Sequence, residues 1–535
     1  MASDVLIVGA GPTGLMLANQ LGRRGIRATI IDRHSGPAQQ TRAMAVQART
    51  LEIYSKLGLA DRALELGTPG AGANMWVQGR LKARIPFEEM GKNLSAFPYV
   101  LMLGQDDNER IMGDHLRRWD VAVQWNTELT ALEQHERHVT ATIKDPDGST
   151  RTIDAAYVAG CDGSRSAVRE LNRIGFPGAP YEHSFFVADT EATGPMVPGE
   201  LNVYLWPTGF HLFFPMHGTN RWRVIGLLPQ HLETKSDPTF ADVIPSLRHE
   251  GGAVTFASCF WFSTYRIHHR RTERFRDRRC FLLGDAAHVH SPMGGQGMNT
   301  GLQDAYNLAW KLGLVVSQRA DDALLDTYEA ERLPVADRLL STTDRAFRFV
   351  VSDGWLGGIF RTKLFPNMAA LAMGRERVRR AAFLTISQIG ITYRESPLSR
   401  TLEGVAGDAP QAGDRFPWLR LGFQGTDRRE DLFQRLDDTR FNVLAIGQPA
   451  PMIERLGLGD ALQVHVVPLE GENAAALRTV SITAPALYLL RPDGHVGLAG
   501  TRVDDAALER WFSDAHVHLG RAAAQSTGAV RSLVT

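Results

Sequence analysis

The chain has 535 residues, 44% of them apolar, which is enough for two or three sizeable cores and excludes a disordered tail or a mini-scaffold. Lysine plus arginine equals aspartate plus glutamate at 59 each, so there is no basic footprint for nucleic acid or an anionic membrane, and small molecules are the expected partners. Cys161, Cys259 and Cys280 are too few and too scattered for a disulfide framework or a zinc site, so no metal is expected, and no stretch approaches the ~18 apolar residues of a membrane span. The N-terminal stretch has no basic n-region and reads as a strand, which makes a cytoplasmic protein the default expectation.

DVLIVGAGPTGLMLANQLGRRGIRATIID, residues 4–32, reads as strand, tight turn, helix, strand. Gly9, Gly11 and Gly14 fall at GxGxxG spacing with Pro12 between them. Such glycines allow a sharp turn, a close approach of backbone to a pyrophosphate, and close helix-to-strand packing, with the phosphates at the positive helix end. Asp32 closes the second strand, where a carboxylate can accept hydrogen bonds from a ribose. A dinucleotide is expected here, and NAD and FAD both fit.

Further along, HVTATIK, the turn DPDG at 145–148 and STRTIDAAYVAG read as a hairpin leading back into the nucleotide domain. Residues 179–271 change character: LNVYLW, GFHLFFPM, RWRVIGLLP and FASCFWFSTYRIHH are aromatic, strand-like runs that suit a sheet roofing a pocket. Tyr204, His211, Arg223 and Tyr265 are the polar residues embedded in it and the candidates for catalytic work, although strand alternation turns half of them away from the pocket.

The stretch GDAAHVHSPMGGQGMNTGLQDAYNLAWKL, residues 284–312, decides between the two dinucleotides. Asp285 follows a strand and can hold a polyol chain; Pro292, Gly294, Gly295 and Gly297 let the backbone lie flat against a planar ring. Leu302, Ala305, Ala309 and Leu312 recur at helical spacing, so Met298 and Asn299 mark the start of an amphipathic helix. Its free N–H groups suit the negative charge that a reduced flavin carries near N1 and the C2 carbonyl, which favours FAD and gives Asp32 and Arg33 to its adenosine. His288 and His290, at i, i+2 without a ligand partner, read as loop packing. Residues 313–395 read as mainly helical and 396–418 as a turn-rich linker. Beyond it, FNVLAIG, a helix near 451–457, ALQVHVVPL, ALYLLRPDGHVGLAG and a helix near 505–515 suggest a small α/β domain, whose lack of cysteine excludes a dithiol redox role.

GAGPTG at 9–14, TRAMAVQARTLE at 41–52, Gln105 followed by Glu109, CDGSRSAVR at 161–169, the 284–312 stretch and TYEAERLPVA at 327–336 together resemble the FAD-dependent aromatic hydroxylases. These are single-component flavoprotein monooxygenases, and the resemblance, to their phenol and pentachlorophenol hydroxylase branch, covers nearly the whole chain. It implies an α/β fold in three parts: a Rossmann-like FAD-binding domain (1–78, 102–178 and 272–395, with a helical extension), an inserted mixed β-sheet domain for substrate (79–101 and 179–271), and a thioredoxin-like C-terminal domain (396–535). It further implies that Arg42 and Gln105 contact the FAD ribose and phosphates. Asp162 and Gly163 would form the family's DG motif, Asp285 would hold the ribityl chain, and Pro292, Gly297, Met298 and Asn299 would line the flavin, with Pro292 also standing in the catalytic set. One departure stands out. The segment that in phenol hydroxylases carries an aspartate suited to deprotonating the phenol is here Met44, Ala45 and Val46, which leaves the base unassigned.

The implied reaction uses NADPH or NADH and O2 to hydroxylate a phenolic substrate through a flavin C4a-hydroperoxide, and a homodimer is implied with it. Baeyer–Villiger oxygen insertion, tailoring of a larger polycyclic substrate and a non-catalytic flavoprotein remain alternatives. A flavin halogenase is disfavoured by the lack of a Trp-x-Trp-x-Ile-Pro pattern.

Overall fold

A computed structural model describes residues 3–38, 43–251, 254–290, 295–351, 355–426, 428–452 and 461–518. Strand β1 (Ser3–Val8) is central to the first sheet, and its four apolar residues Val5–Val8 are all buried, as a parallel strand covered on both faces requires. The chain then turns at Gly9 into α1 (Pro12–Gly22), whose proline at the first helical position pre-sets φ without losing a bonded N–H. It returns as β2 (Ala28–Ile31), parallel to β1. Helix α2 (Ala48–Leu57) follows.

The chain next crosses to a second sheet with β3 (Gly72–Val77) and β4 (Arg80–Pro86), and comes back through α3 (Gln105–His115) and β5 (Val123–Gln124). The division expected at residue 78 cuts this hairpin, which is one unit paired from Gly72 with Pro86 to Val77 with Arg80, so sheet membership changes before Gly72. Strands β6 (Val139–Lys144) and β7 (Thr150–Gly160) form the hairpin read from Asp-Pro-Asp-Gly, with Gly148 at φ +86° in the left-handed region that the turn demands. Strand β7 lies parallel to β1, so β1 has a parallel neighbour on each side.

A second excursion supplies β8 (Gly178–Thr193), β9 (Leu201–Trp206), β10 (Gly209–Pro215), β11 (Arg221–Leu227), helix α4 (Phe240–Gly251) and the long β12 (Thr255–Arg271). The second sheet has eight strands in the order His288–Val289, β12, β8, β11, β10, β9, β3, β4. One face packs on α4 through Tyr204, Phe213, Trp222 and Val224; alternation sends Phe214, Arg223 and Ile225 to the other face.

The chain re-enters the first sheet at β13 (Cys280–Leu282), which pairs parallel with β7, and continues into α5 (Gly297–Val316) and α6 (Asp326–Val351). Helix α5 is not amphipathic as the spacing suggested: every residue from Asn299 to Gly313 is buried. It lies between α1 on one side and the C-terminal domain on the other, so Asp304, Asn307 and Lys311 need partners inside the protein. That domain is a five-stranded sheet in the order Arg400–Thr401, β17 (Val496–Gly500), β16 (Ala486–Leu490), β14 (Phe441–Ile446), β15 (Leu462–Val467), with α7 (Asp505–Asp514) packed on it. The helix expected near 451–457 falls largely on 453–460, outside the described residues. Among the described residues no helix is long and apolar enough to cross a membrane.

Candidate flavin site

The two sheets enclose a cleft of about 1490 Å³ that runs from the Gly9–Gly14 turn to the face of the second sheet. The three glycines divide their work. A Cβ on Gly9, at φ +103°, would meet Cys161 O at 2.4 Å, and one on Gly14 would meet Gly9 O at 1.9 Å, so both are fixed by packing. Gly11 has nothing within 4 Å of such a Cβ and faces the cleft. An open approach to backbone at a helix start is the arrangement that a pyrophosphate needs.

Asp32 holds the turn from the second strand: its Oδ2 accepts the Ala10 N–H at 2.7 Å and its Oδ1 accepts from His34 N at 2.8 Å. Pro12, Arg33 and Gln105 line the same end of the cleft, and the Gln105 amide donates to Glu109 Oε1 at 2.9 Å. Glu109 also accepts the Ala38 N–H at 2.7 Å, and burial pushes its carboxyl up from the ordinary value. Asp162 lies on the cleft wall with its carboxyl raised by burial; Oδ2 accepts the Val168 N–H, while the buried Oδ1 has no partner among the described residues. A buried acceptor without a partner costs roughly 1–3 kcal/mol. A ligand hydroxyl donated into the cleft would remove that cost, and ribose and ribityl chains carry such hydroxyls.

Asp285, Gly295, Gly297 and Met298 line the opposite wall. Asn299 does not. It is fully buried behind the loop, where Oδ1 accepts from Gln47 N (2.9 Å) and Thr50 Oγ1 (2.8 Å), and Nδ2 donates to the carbonyls of Ala45 and Gly295 (2.8 Å each). Its amide capacity is used up in tying the loop to α2, so it frames the cleft and does not line it. Gln296 stands at the N-cap position of α5. Arg42 and Pro292 lie outside the described residues.

A buried ionic group that the sequence reading did not assemble stands behind the same loop. Asp304 Oδ2 accepts from Gly284 N at 3.0 Å and from His288 Nε2 at 2.8 Å, while Oδ1 accepts from Arg332 Nε at 2.6 Å. Burial alone would raise this carboxyl, but Arg332 and His288 outweigh it and hold it at about 2. The signal was an acid and a lysine, Asp304 and Lys311, as the two charged residues of a helix that carries no others.

The four sheet candidates separate. Arg223 lines the cleft, its guanidinium forked on Asp189 (Nε to Oδ1 2.7 Å, Nη2 to Oδ2 2.6 Å) and lying over the Trp261 ring at 5.3 Å. Tyr265 is on the same face by register but at its far end, against Phe185, and does not reach the cleft lining. Tyr204 and His211 are on the α4 side, stacked on Trp76 and beside Trp206, because residues directly opposite on neighbouring strands share a face. Burial lowers the His211 imidazole well below its ordinary value and raises the Tyr204 hydroxyl. The structure therefore brings one of the four, Arg223, into the cleft.

Residues 2–343 match the family defined by the FAD binding domain. The chain is 33% identical to the 6-methylpretetramide 4-monooxygenase of Streptomyces rimosus across 96% of this chain and 94% of that protein. It is 32% identical to the pentachlorophenol 4-monooxygenase of Sphingobium chlorophenolicum across 82% and 79%. The anhydrotetracycline hydroxylase structure from Streptomyces rimosus superposes with a TM-score of 0.77 at 27% identity, covering 97% of this chain and 99% of that one. With the domain match spanning more than half of its length and these relatives 82% or more of it, the chain belongs to the FAD-dependent aromatic monooxygenases.

Proposed function

We propose that the enzyme hydroxylates a multi-ring phenol held between the 295–298 loop and the face of the second sheet, with Arg223 stabilising the substrate as its phenolate. The observation that carries this reading is the size of the cleft. Sites for one small ligand run about 300–1,000 Å³, and a continuous space of about 1490 Å³ leaves room beside FAD for a second ligand of several rings. Two relatives named above are a monooxygenase of 6-methylpretetramide and a hydroxylase of anhydrotetracycline, which supports that size class.

FAD, when bound, supplies the redox chemistry that couples NAD(P)H and O2 to transfer of one oxygen atom onto the ring. The remaining demands fall on the chain. Gly11, Asp32, Gln105, Asp162, Asp285 and the 295–298 backbone are suited to hold the cofactor. Phe214 and Ile225 cover the sheet side with apolar surface and keep water from the reacting face. Of the β10 and β11 residues that line the cleft, Phe214, Arg223 and Ile225, Arg223 carries a charge, and a cation within about 4–6 Å of a phenol favours its ionised form. An ionised phenol makes the ring carbon ortho or para to it a better nucleophile, so the missing aspartate at 44–46 is replaced in this reading by a fixed cation. Use of NAD(P)H fits a cytoplasmic setting, and a homodimer, to be measured by light scattering, is part of the same reading.

The test is oxidation of NADPH or NADH in air with single-ring phenols, four-ring phenols and cyclic ketones, with product connectivity read by mass spectrometry and NMR. A four-ring phenol should stimulate oxidation and gain a ring hydroxyl. Higher kcat/KM on single-ring phenols would overturn the size class, and turnover of ketones alone would overturn hydroxylation.

A further inference from the structure

The turn that joins β16 to β17, Arg491–His495, reaches out of its own domain into the helices of the flavin-binding body. Arg491 and Asp493 of the turn and Glu331 of α6 are each no more than 2% exposed. Arg491 grips Glu331 with two bonds (Nη1 to Oε1 2.5 Å, Nη2 to Oε2 3.0 Å) and donates Nε to Asp493 Oδ1 at 3.1 Å. Glu331 also accepts from Lys311 Nζ (2.8 Å) and Asn307 Nδ2 (2.7 Å) of α5. Asp493 accepts from Trp310 Nε1 at 3.3 Å, its main-chain carbonyl accepts from Arg49 Nη2 of α2 at 2.5 Å, and the Pro492 carbonyl accepts from the Tyr306 hydroxyl at 3.2 Å.

One five-residue turn is thus bonded to α2, α5 and α6. The first two are the helices whose leading ends frame the cleft, joined there by Asn299 to Gln47 and Thr50. Asn299 and Asn307 are 8 residues apart on α5, about 12 Å along the helix. Adhesion between the domains already has a source, the apolar cluster of Trp310, Phe441, Leu487 and Trp511. Buried ion pairs add little net adhesion, since desolvation offsets their attraction; their directional bonds instead select one arrangement of the groups they join.

We propose that this turn is a positioning element of the flavin site: the cysteine-free C-terminal domain sets the register of α5 and α2 and so the geometry of the 295–298 loop. Arg491 and Asp493 are its positioning residues. The proposal rests on the cleft being the FAD site, and FAD binding by the unmodified enzyme checks that part separately.

The experiment compares full-length Arg491→Lys and Asp493→Asn with Phe512→Leu, a change in the apolar cluster. For each, FAD affinity of the apo-protein, the visible absorption and reduction potential of the bound flavin, and the melting temperature of the apo-protein are measured. The two turn variants should bind FAD roughly 2- to 30-fold more weakly, with a shifted flavin spectrum or potential, while Phe512→Leu lowers the melting temperature and leaves affinity and spectrum alone. Should the turn variants fail to fold, Tyr306→Phe, which removes the hydroxyl bond to the Pro492 carbonyl and lies outside the apolar cluster, gives the same readout. Turn variants with lowered melting temperature but unchanged FAD affinity, spectrum and potential would overturn the proposal, as would an equal loss of affinity in Phe512→Leu. Failure of the unmodified enzyme to bind FAD would overturn the site reading beneath it.

Discussion

His288 and Asp304 stand 2.8 Å apart, imidazole Nε2 to carboxylate Oδ2, and both are almost completely buried behind the loop that carries Asp285. The same carboxylate accepts the Gly284 N–H, so the residue before Asp285 is fixed from inside the protein. Replacing Asp304 by Asn leaves Arg332 without its ion-pair partner in a dry site, and such a loss costs about 3–5 kcal/mol. The Asp304→Asn variant should therefore unfold at distinctly lower denaturant concentration and should release FAD more readily at a temperature where it is still folded. Wild-type FAD affinity in that variant would mean that Asp304 serves stability alone.

The same carboxyl sets an acid limb. Its folded-state value of about 2 lies below the roughly 3.9 of an unfolded chain, so the stabilisation is fully present above about pH 4 and is lost as pH falls through 2. The contribution is about 2–3 kcal/mol. Denaturation midpoints measured between pH 5 and pH 3 should fall less steeply in Asp304→Asn than in the unmodified enzyme. Parallel curves would show that other carboxylates carry the acid sensitivity.

Arg223 separates substrate chemistry from cofactor binding. Arg223→Lys keeps a cation but loses the fork on Asp189, and a lysine does not reproduce bidentate geometry. The expected outcome is normal FAD content with a fall in kcat/KM for the phenol of about 10²-fold. The pH profile should also move: without the fixed guanidinium, activity should rise toward the pH at which the free phenol ionises. A variant with an unmoved profile would show that Arg223 does not act on the phenol.

Tyr204 gives the opposite expectation. Its hydroxyl is buried among aromatic rings on the α4 side with no partner among the described residues. Removing an unsatisfied buried hydroxyl relieves a desolvation cost of about 1–3 kcal/mol. Tyr204→Phe should therefore melt at the same or a higher temperature with unchanged turnover, and a large loss of kcat would restore Tyr204 as a candidate for the chemistry.

These contrasts mark what the sequence could convey. The β1–α1–β2 unit was legible because every cue is local: an apolar run, glycines at fixed spacing and an acid at the next strand end. The hairpin at Gly148 was legible for the same reason. Alternation alone could tell that half of the sheet candidates face away, but which half depends on where α4 packs, a tertiary choice with no local signature. The Asp304–Arg332 pair spans two helices 28 residues apart, and the Arg491–Glu331 pair spans two domains, so the residues could be suspected but not matched. Asn299 was placed at the right loop in the wrong role, because spacing locates a helix start and does not say whether a side chain points at a ligand or at the neighbouring helix.

Gly11 and Gly14 allow cofactor approach to be tested apart from folding. Both are at GxGxxG positions, yet a Cβ on Gly14 would lie 1.9 Å from Gly9 O, whereas one on Gly11 meets nothing within 4 Å. Gly11 also has φ −70° and ψ −177°, a conformation alanine adopts without strain. Gly14→Ala must displace backbone at the βα turn and should reduce both the melting temperature of the apo-protein and FAD content. Gly11→Ala should leave the apo-protein's melting temperature within about 0.5 kcal/mol equivalent of the unmodified chain, while the added methyl occupies the space through which a pyrophosphate approaches the N–H groups. Its FAD dissociation constant should rise at least about tenfold, a cost of about 1.4 kcal/mol. If Gly11→Ala bound FAD as tightly as the unmodified enzyme, the phosphates would have to lie elsewhere in the cleft, and the Asp162 wall would become the next place to look.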